Sequence, residues 1–147
     1  MKLPKEFEYY LKRGIIRKIA PDKSRAEFLI KESEVSLEGL KERIKIIGIN
    51  DKNANSIIKD CYDIILELIR AELLLTGYSS SGSYAHEGEI SYLEKLEFPE
   101  SEISFLNGLR YYRNSVTYYG KILDKEYAQK VFDFLMKIIP KLKRIED

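Results

Sequence analysis

The stretch Asp51–Thr76 (DKNANSIIKDCYDIILELIRAELLLT) decides the fold. Within it, Ala54, Ile57, Cys61, Ile64, Leu68, Ala71 and Leu75 recur at alternating spacings of three and four. That spacing makes a continuous helical seam suited to lengthwise packing against other helices. Ile58, Ile65, Ile69 and Leu73 form a second apolar stripe beside it. A helix that is apolar on two faces sits in the middle of a bundle, or touches both a core and another subunit. Gly77 is placed to end it. Cys61 falls in the seam, where a thiol packs as a small hydrophobe.

Working outward from this helix, the rest of the chain also reads as helix. Toward the N-terminus, Asp22 can cap a helix from Lys23 to Ile47 that stops at Gly48, although Ser33–Ser36 can divide it in two. A short helix, Pro4–Arg13, precedes it, closed by Gly14 and joined through the connector Ile15–Ala20. Toward the C-terminus, Tyr78–Ser83 is Ser/Gly-rich and reads as a loop; it lacks the spacing and lysine of a phosphate-binding P-loop. A helix over Tyr84–Leu96 follows, then a turn at Phe98–Ser101 with Ser101 as the N-cap of a helix over Glu102–Tyr119. Gly120 should end that helix. The last helix runs from Asp124, its cap, to Arg144, and Pro140 should kink it or end it early. No segment alternates with period two for long enough to make a strand. The predicted fold is all-α, an up-and-down antiparallel bundle of four main helices plus short additional ones. It forms one domain over 1–147, in which 1–21 is an N-terminal helix and connector extension.

The 147 residues carry 25 Lys+Arg and 24 Asp+Glu, a near-neutral balance without the basic excess of a general nucleic-acid binder. The charges are unevenly spread. Residues 1–25 hold eight basic groups against three acidic, whereas residues 86–105 hold six acidic against one basic. From Arg110 onward, basic groups again exceed acidic ones, nine to five. One cysteine, Cys61, excludes an internal disulfide, and one histidine, His86, excludes a histidine-based metal cluster within one chain. No metal or other cofactor is expected. No apolar run reaches the roughly 18 residues a membrane span needs, so a cytoplasmic protein with no membrane partner is expected.

The densest polar chemistry lies in Leu109–Gly120 (LRYYRNSVTYYG). At about 100° per residue, Phe105, Leu109, Tyr112, Val116 and Tyr119 share one stripe, taken as the core face. Arg110, Asn114 and Tyr118 lie opposite, joined by Tyr111, with Arg113 at the edge beside Leu106 and Thr117. Arginine and tyrosine are enriched at interfaces, and arginine suits phosphate. This back face therefore reads as solvated surface, subunit interface or ligand site. Arg110 and Arg113 are the candidate phosphate ligands, and Tyr111 and Tyr118 the candidate interface residues of a homodimer.

Three places resemble the HEPN superfamily of small helical bundles associated with nucleotides or RNA. Gly14–Asp22 (GIIRKIAPD), followed by Ala26, Phe28, Leu29 and Glu32, resembles the opening of many archaeal members. His86, with Ile90 and Leu93 following at helical spacing, resembles a His-containing start of a short helix. Arg113-Asn114 resembles the start of the family's signature, an Arg, often followed by Asn, and a His beyond four to six intervening residues. Here the first such position is Tyr118, followed by Tyr119 and Gly120, so the histidine is missing.

The resemblance implies a metal-independent endoribonuclease in active members, with Arg on the scissile phosphate and His in proton transfer or on the 2′-hydroxyl. Carried onto this chain, it makes Arg113, Asn114 and Tyr118 the candidate catalytic residues, with His86 as a substitute for the missing imidazole. A phenol titrating near 10 cannot do the work of imidazole at neutral pH, although it can donate a hydrogen bond or stack on a base. The leading expectation is thus a catalytically degenerate, HEPN-like module that binds RNA, a nucleotide or a protein partner. The alternatives are a toxin-like endoribonuclease with its site at a homodimer cleft, and a structural helical adaptor. The resemblance also implies a small nucleotidyltransferase as a possible partner. The tyrosine modified by that partner in some members would fall on Gly120.

Overall fold

The structure is a computed structural model that describes residues 2–119 and 123–146; for residues 115–119 and 144–146 it describes the helical backbone alone. The chain is an all-α bundle. In order it forms α1 (Phe7–Lys12), β1 (Ile16–Lys18), α2 (Lys23–Ile47), α3 (Ala54–Thr76), β2 (Tyr78–Ser80), α4 (Ala85–Ser91), a 3-10 turn (Tyr92–Glu94), α5 (Glu100–Tyr119) and α6 (Lys125–Glu146). The side chains of Val116, Thr117, Tyr118 and Tyr119 lie outside the described ones, as does Gly120.

α3 is the central helix. Ile57, Ile58, Cys61, Tyr62, Ile64, Ile65, Leu68 and Ile69 are all at most 3% exposed, so both predicted stripes are buried except at Leu75, which is half-buried. It packs against α2, α4, α5 and α6. Burial pushes the Cys61 thiol up to about 12, which leaves it protonated and inert.

The helix directions follow from paired ends. The Asp22 amide, at the head of α2, donates to the Leu74 carbonyl near the end of α3, so those two helices run antiparallel. Phe105 near the start of α5 meets Phe134 near the middle of α6, with ring centres 4.5 Å apart. Lys141 Nζ reaches both Glu102 carboxylate oxygens at 2.7 Å, joining the head of α5 to the tail of α6. The heads of α3 and α6 meet where Asn55 Oδ1 accepts from the Leu123 amide at 2.9 Å. Together these contacts give the up-and-down order.

Several local expectations hold. The Asp22 carboxylate accepts from the Arg25 amide, and the Asp124 carboxylate from the Tyr127 amide, as N-caps should. α2 is unbroken at Ser33–Ser36, where the Ser33 hydroxyl donates back to the Ile30 carbonyl at 2.6 Å.

Other expectations need correction. The connector and the Ser-rich loop contain a short antiparallel ladder, with Ile16 opposite Ser80 and Lys18 opposite Tyr78. Three-residue strands are too short to leave a period in sequence. Two further bonds extend the ladder, from the Ile19 amide to the Gly77 carbonyl and from the Ser81 amide to the Ile15 carbonyl. Gly77 sits at φ +100°, and a Cβ there would stand 2.9 Å from the Ile19 carbonyl oxygen. Only glycine meets both demands. Ser101 is not an N-cap: α5 already begins at Glu100, and the Pro99 carbonyl accepts from the Glu102 and Ile103 amides. The fourth predicted helix ends earlier, passing into the 3-10 turn at Tyr92. Pro140 does not end α6, which continues to Glu146. Pro140 is on the exposed side, where water can satisfy the carbonyl that its missing N–H leaves over.

The N-terminal segment Phe7–Ile16 is built into this core. Phe7, Tyr10 and Ile16 are buried, and Phe7 meets Tyr78 edge-on at 5.2 Å and Tyr92 at 5.1 Å. The ladder and this aromatic cluster fix the loop that leads into α4.

Candidate functional site

α4 and the second half of α5 face each other across a cavity of about 260 Å³. Its lining includes Gly82, Ser83 and Tyr84 from the incoming loop, His86 and Glu87 from α4, and Arg110, Arg113 and Asn114 from α5. The three α5 residues follow the helical spacing i, i+3, i+4, so they project from one side over about one turn. His86 is in the first turn of α4, and the ladder carries the chain to that point. The cavity therefore joins His86 to Arg113, far apart in sequence. Two guanidinium groups against one carboxylate, Glu87, make its lining attractive to an anion.

The histidine is held from below. Its Nδ1 lies 3.3 Å from the hydroxyl of Tyr62, a wholly buried residue of α3, and the two rings are 5.7 Å apart. This contact occupies Nδ1 and leaves Nε2 for another partner. Burial lowers the His86 pKa below its ordinary value, and the charges of Arg70 and Arg113 lower it further, against Glu89 and Asp63. The imidazole is therefore neutral at pH 7 and can act as a base or hydrogen-bond donor.

Behind His86, Glu89 is fully buried and receives two bonds from Arg70, from Nε at 2.9 Å and Nη2 at 3.1 Å. The Ser80 hydroxyl also donates to Glu89. This cluster ties α3, α4 and β2 together one turn below the cavity. On the other side, Arg113 Nη2 lies 3.7 Å from Asp63 of α3. Burial raises the Asp63 pKa, and the Arg113 charge opposes that rise.

Arg110 is fixed differently. Its Nε donates to Asn107 Oδ1 at 3.1 Å, and Asn107, only 3% exposed, donates through Nδ2 to the Lys2 carbonyl at 3.4 Å. Arg110 also lines a second cavity of about 250 Å³, with Lys2, Asn107, Gly108, Tyr111 and Tyr112. Tyr111 is 62% exposed.

The division of α5 into faces needs one correction. The expected stripe does meet α6, through Phe105 on Phe134 and Tyr112 edge-on to Tyr127 at 5.2 Å. The buried apolar positions, however, are Ile103, Leu106 and Leu109. α5 has two partners, and its second seam, through Leu106, faces α3 and α4. Arg110 and Arg113 continue that seam past the end of the apolar packing, so they face the cavity rather than the back of the helix. Asn114 joins them, Tyr111 stays exposed, and the side chain of Tyr118 lies outside the described residues.

Tyr62, Asp63, Arg70, Glu89 and Asn107 were not among the expected site residues. Some signal was present: Glu89 follows His86 by three residues, and Asp63 and Arg70 lie seven residues apart, on one side of α3. Among the described residues, no three His, Cys, Asp or Glu side chains come together as metal ligands, and no helix is long and apolar enough to cross a membrane. The chain matches no family model, and no curated protein matches its sequence.

Proposed function

We propose that the chain is a HEPN-like helical module that binds a phosphate-bearing ligand, RNA or a nucleotide, in the cavity between α4 and α5. The observation that carries this reading is that His86, Arg110, Arg113 and Asn114 line one cavity. Arginine forks match phosphate oxygens, the asparagine amide supplies a further donor, and a neutral imidazole adds one more. The test is calorimetric titration of the protein with a short single-stranded oligoribonucleotide at low salt. Binding should saturate near one site per chain and weaken about tenfold or more in Arg113→Ala, since a charged hydrogen bond contributes about 1.5–3 kcal/mol. Unchanged affinity in that variant would refute the reading.

A second reading, metal-independent RNA cleavage, is favoured by the neutral His86 in this cavity. In it, the imidazole removes the 2′-hydroxyl proton, and the 2′-oxygen attacks the adjacent phosphorus held by Arg113. The 5′-oxygen of the next nucleotide leaves and takes a proton from the imidazolium, directly or through water, giving a 2′,3′-cyclic phosphate and a 5′-hydroxyl end. Incubation of RNA with the protein in excess chelator, followed by end-group analysis, tests it. Cleavage that produces those ends and is lost in both His86→Ala and Arg113→Ala would support it. Intact RNA would leave the chain a binding module.

A further inference from the structure

We propose that the second cavity is a nucleobase subsite, so that the site accepts a whole nucleotide with its phosphate beside His86 and its base against Tyr111. This inference rests on the phosphate-binding reading above and names the ligand class for that site. Arg110 is the shared wall: it lines both the His86 cavity and the cavity formed by Lys2, Asn107, Gly108, Tyr111 and Tyr112. The two sides differ in chemistry. The first carries charged and hydrogen-bonding groups; the second is mostly apolar, with two phenol rings. Each alone falls below the roughly 300–1,000 Å³ of common small-molecule sites, and Arg110 is the residue their linings share. A ligand matching that division has an anionic end and a flat apolar end, which describes a nucleotide.

The aromatic wall is organised to receive a flat ring. Tyr111 and Tyr112 meet edge-on with ring centres 6.3 Å apart, and Tyr112 meets Tyr127 of α6 in the same way. This row braces Tyr111 from one side while the residue stays 62% exposed. The Arg110–Asn107–Lys2 chain of hydrogen bonds fixes the dividing guanidinium, whose plane can stack on a base as well as bind a phosphate. Gly108 adds no side chain to the floor. Stacking on an aromatic ring tolerates every base, so the subsite should show little base preference.

The experiment compares three probes by calorimetry: adenosine 5′-monophosphate, ribose 5-phosphate and a short oligoadenylate. Wild type, Tyr111→Ala, Tyr111→Phe and Arg113→Ala are compared, each checked for an unchanged thermal melt. Adenosine monophosphate should bind about tenfold more tightly than ribose 5-phosphate, the size expected of one stacked base. Tyr111→Ala should remove that difference and leave ribose 5-phosphate binding unchanged. Tyr111→Phe should keep it, and Arg113→Ala should weaken all three probes. Tighter binding of the oligoadenylate than of the monophosphate assigns the site to a nucleic-acid strand; equal binding assigns it to a free nucleotide. If ribose 5-phosphate binds as well as the nucleotide, or the Tyr111→Ala variant keeps the difference, the base subsite is refuted and the phosphate site stands. If none of the probes binds, both proposals fall.

Discussion

His86 Nδ1 lies 3.3 Å from the hydroxyl of Tyr62, so the chain's one imidazole is anchored to its central helix. The anchor, the burial and the nearby Arg70 and Arg113 all bear on its protonation. Because His86 is the only histidine, its imidazole proton resonances can be followed without assignment. Their titration midpoint should lie below the usual value of about 6.5. Tyr62→Phe should loosen the ring and broaden its resonances while leaving the fold intact.

The same depression sets a pH dependence of stability. In the unfolded chain His86 regains its ordinary affinity for a proton, so as pH falls the unfolded state takes up that proton first. The His86 contribution is fully present above about pH 6.5 and is lost as pH falls from there to the depressed midpoint. Denaturant melts of wild type and His86→Gln across that window should show wild type losing stability relative to the variant on acidification.

The Arg70–Glu89 pair should prove structural as well as electrostatic. Glu89 is fully buried, and removing its guanidinium partner strands a carboxylate away from water. Arg70→Ala should cost about 3 kcal/mol by urea denaturation. Replacing both residues with apolar ones of similar size should recover part of that loss.

Apolar β-branched residues in the core and on the surface should respond very differently. Ile65 is wholly buried in α3, and Ile65→Ala should cost about 2–5 kcal/mol. Val35 on α2 is 65% exposed, and Val35→Ala should change stability by only about 0.5 kcal/mol. Gly77→Ala should be costly without any loss of apolar burial. It forces a side chain into φ +100° and against the Ile19 carbonyl, at about 1–3 kcal/mol or more.

Ile57–Leu75, Asp22 and Asp124 made the bundle legible in the sequence, because periodicity and caps are local properties. The ladder between Ile16–Lys18 and Tyr78–Ser80 was not legible, since each strand is three residues long and its partner lies some sixty residues away. The continuity of α6 through Pro140 was hidden for a different reason. The sequence carries the missing N–H but not the side of the helix from which it is missing. At the site, the residue types were legible and their facing was not. One apolar stripe in α5 accounted for α6, and the second, through Leu106, depends on where α4 packs. That second seam is what turns Arg113 toward His86, and Tyr62 reads only as one more core position until the fold places it under the imidazole.

The proton titration of His86 with and without saturating adenosine 5′-monophosphate tests the anion cavity most directly. An anion held beside the imidazole stabilises its protonated form. The expected result is a midpoint that rises on adding the nucleotide in wild type, and rises much less in Arg113→Ala. A midpoint unmoved by the nucleotide in wild type would contradict a phosphate site at His86, Arg110, Arg113 and Asn114.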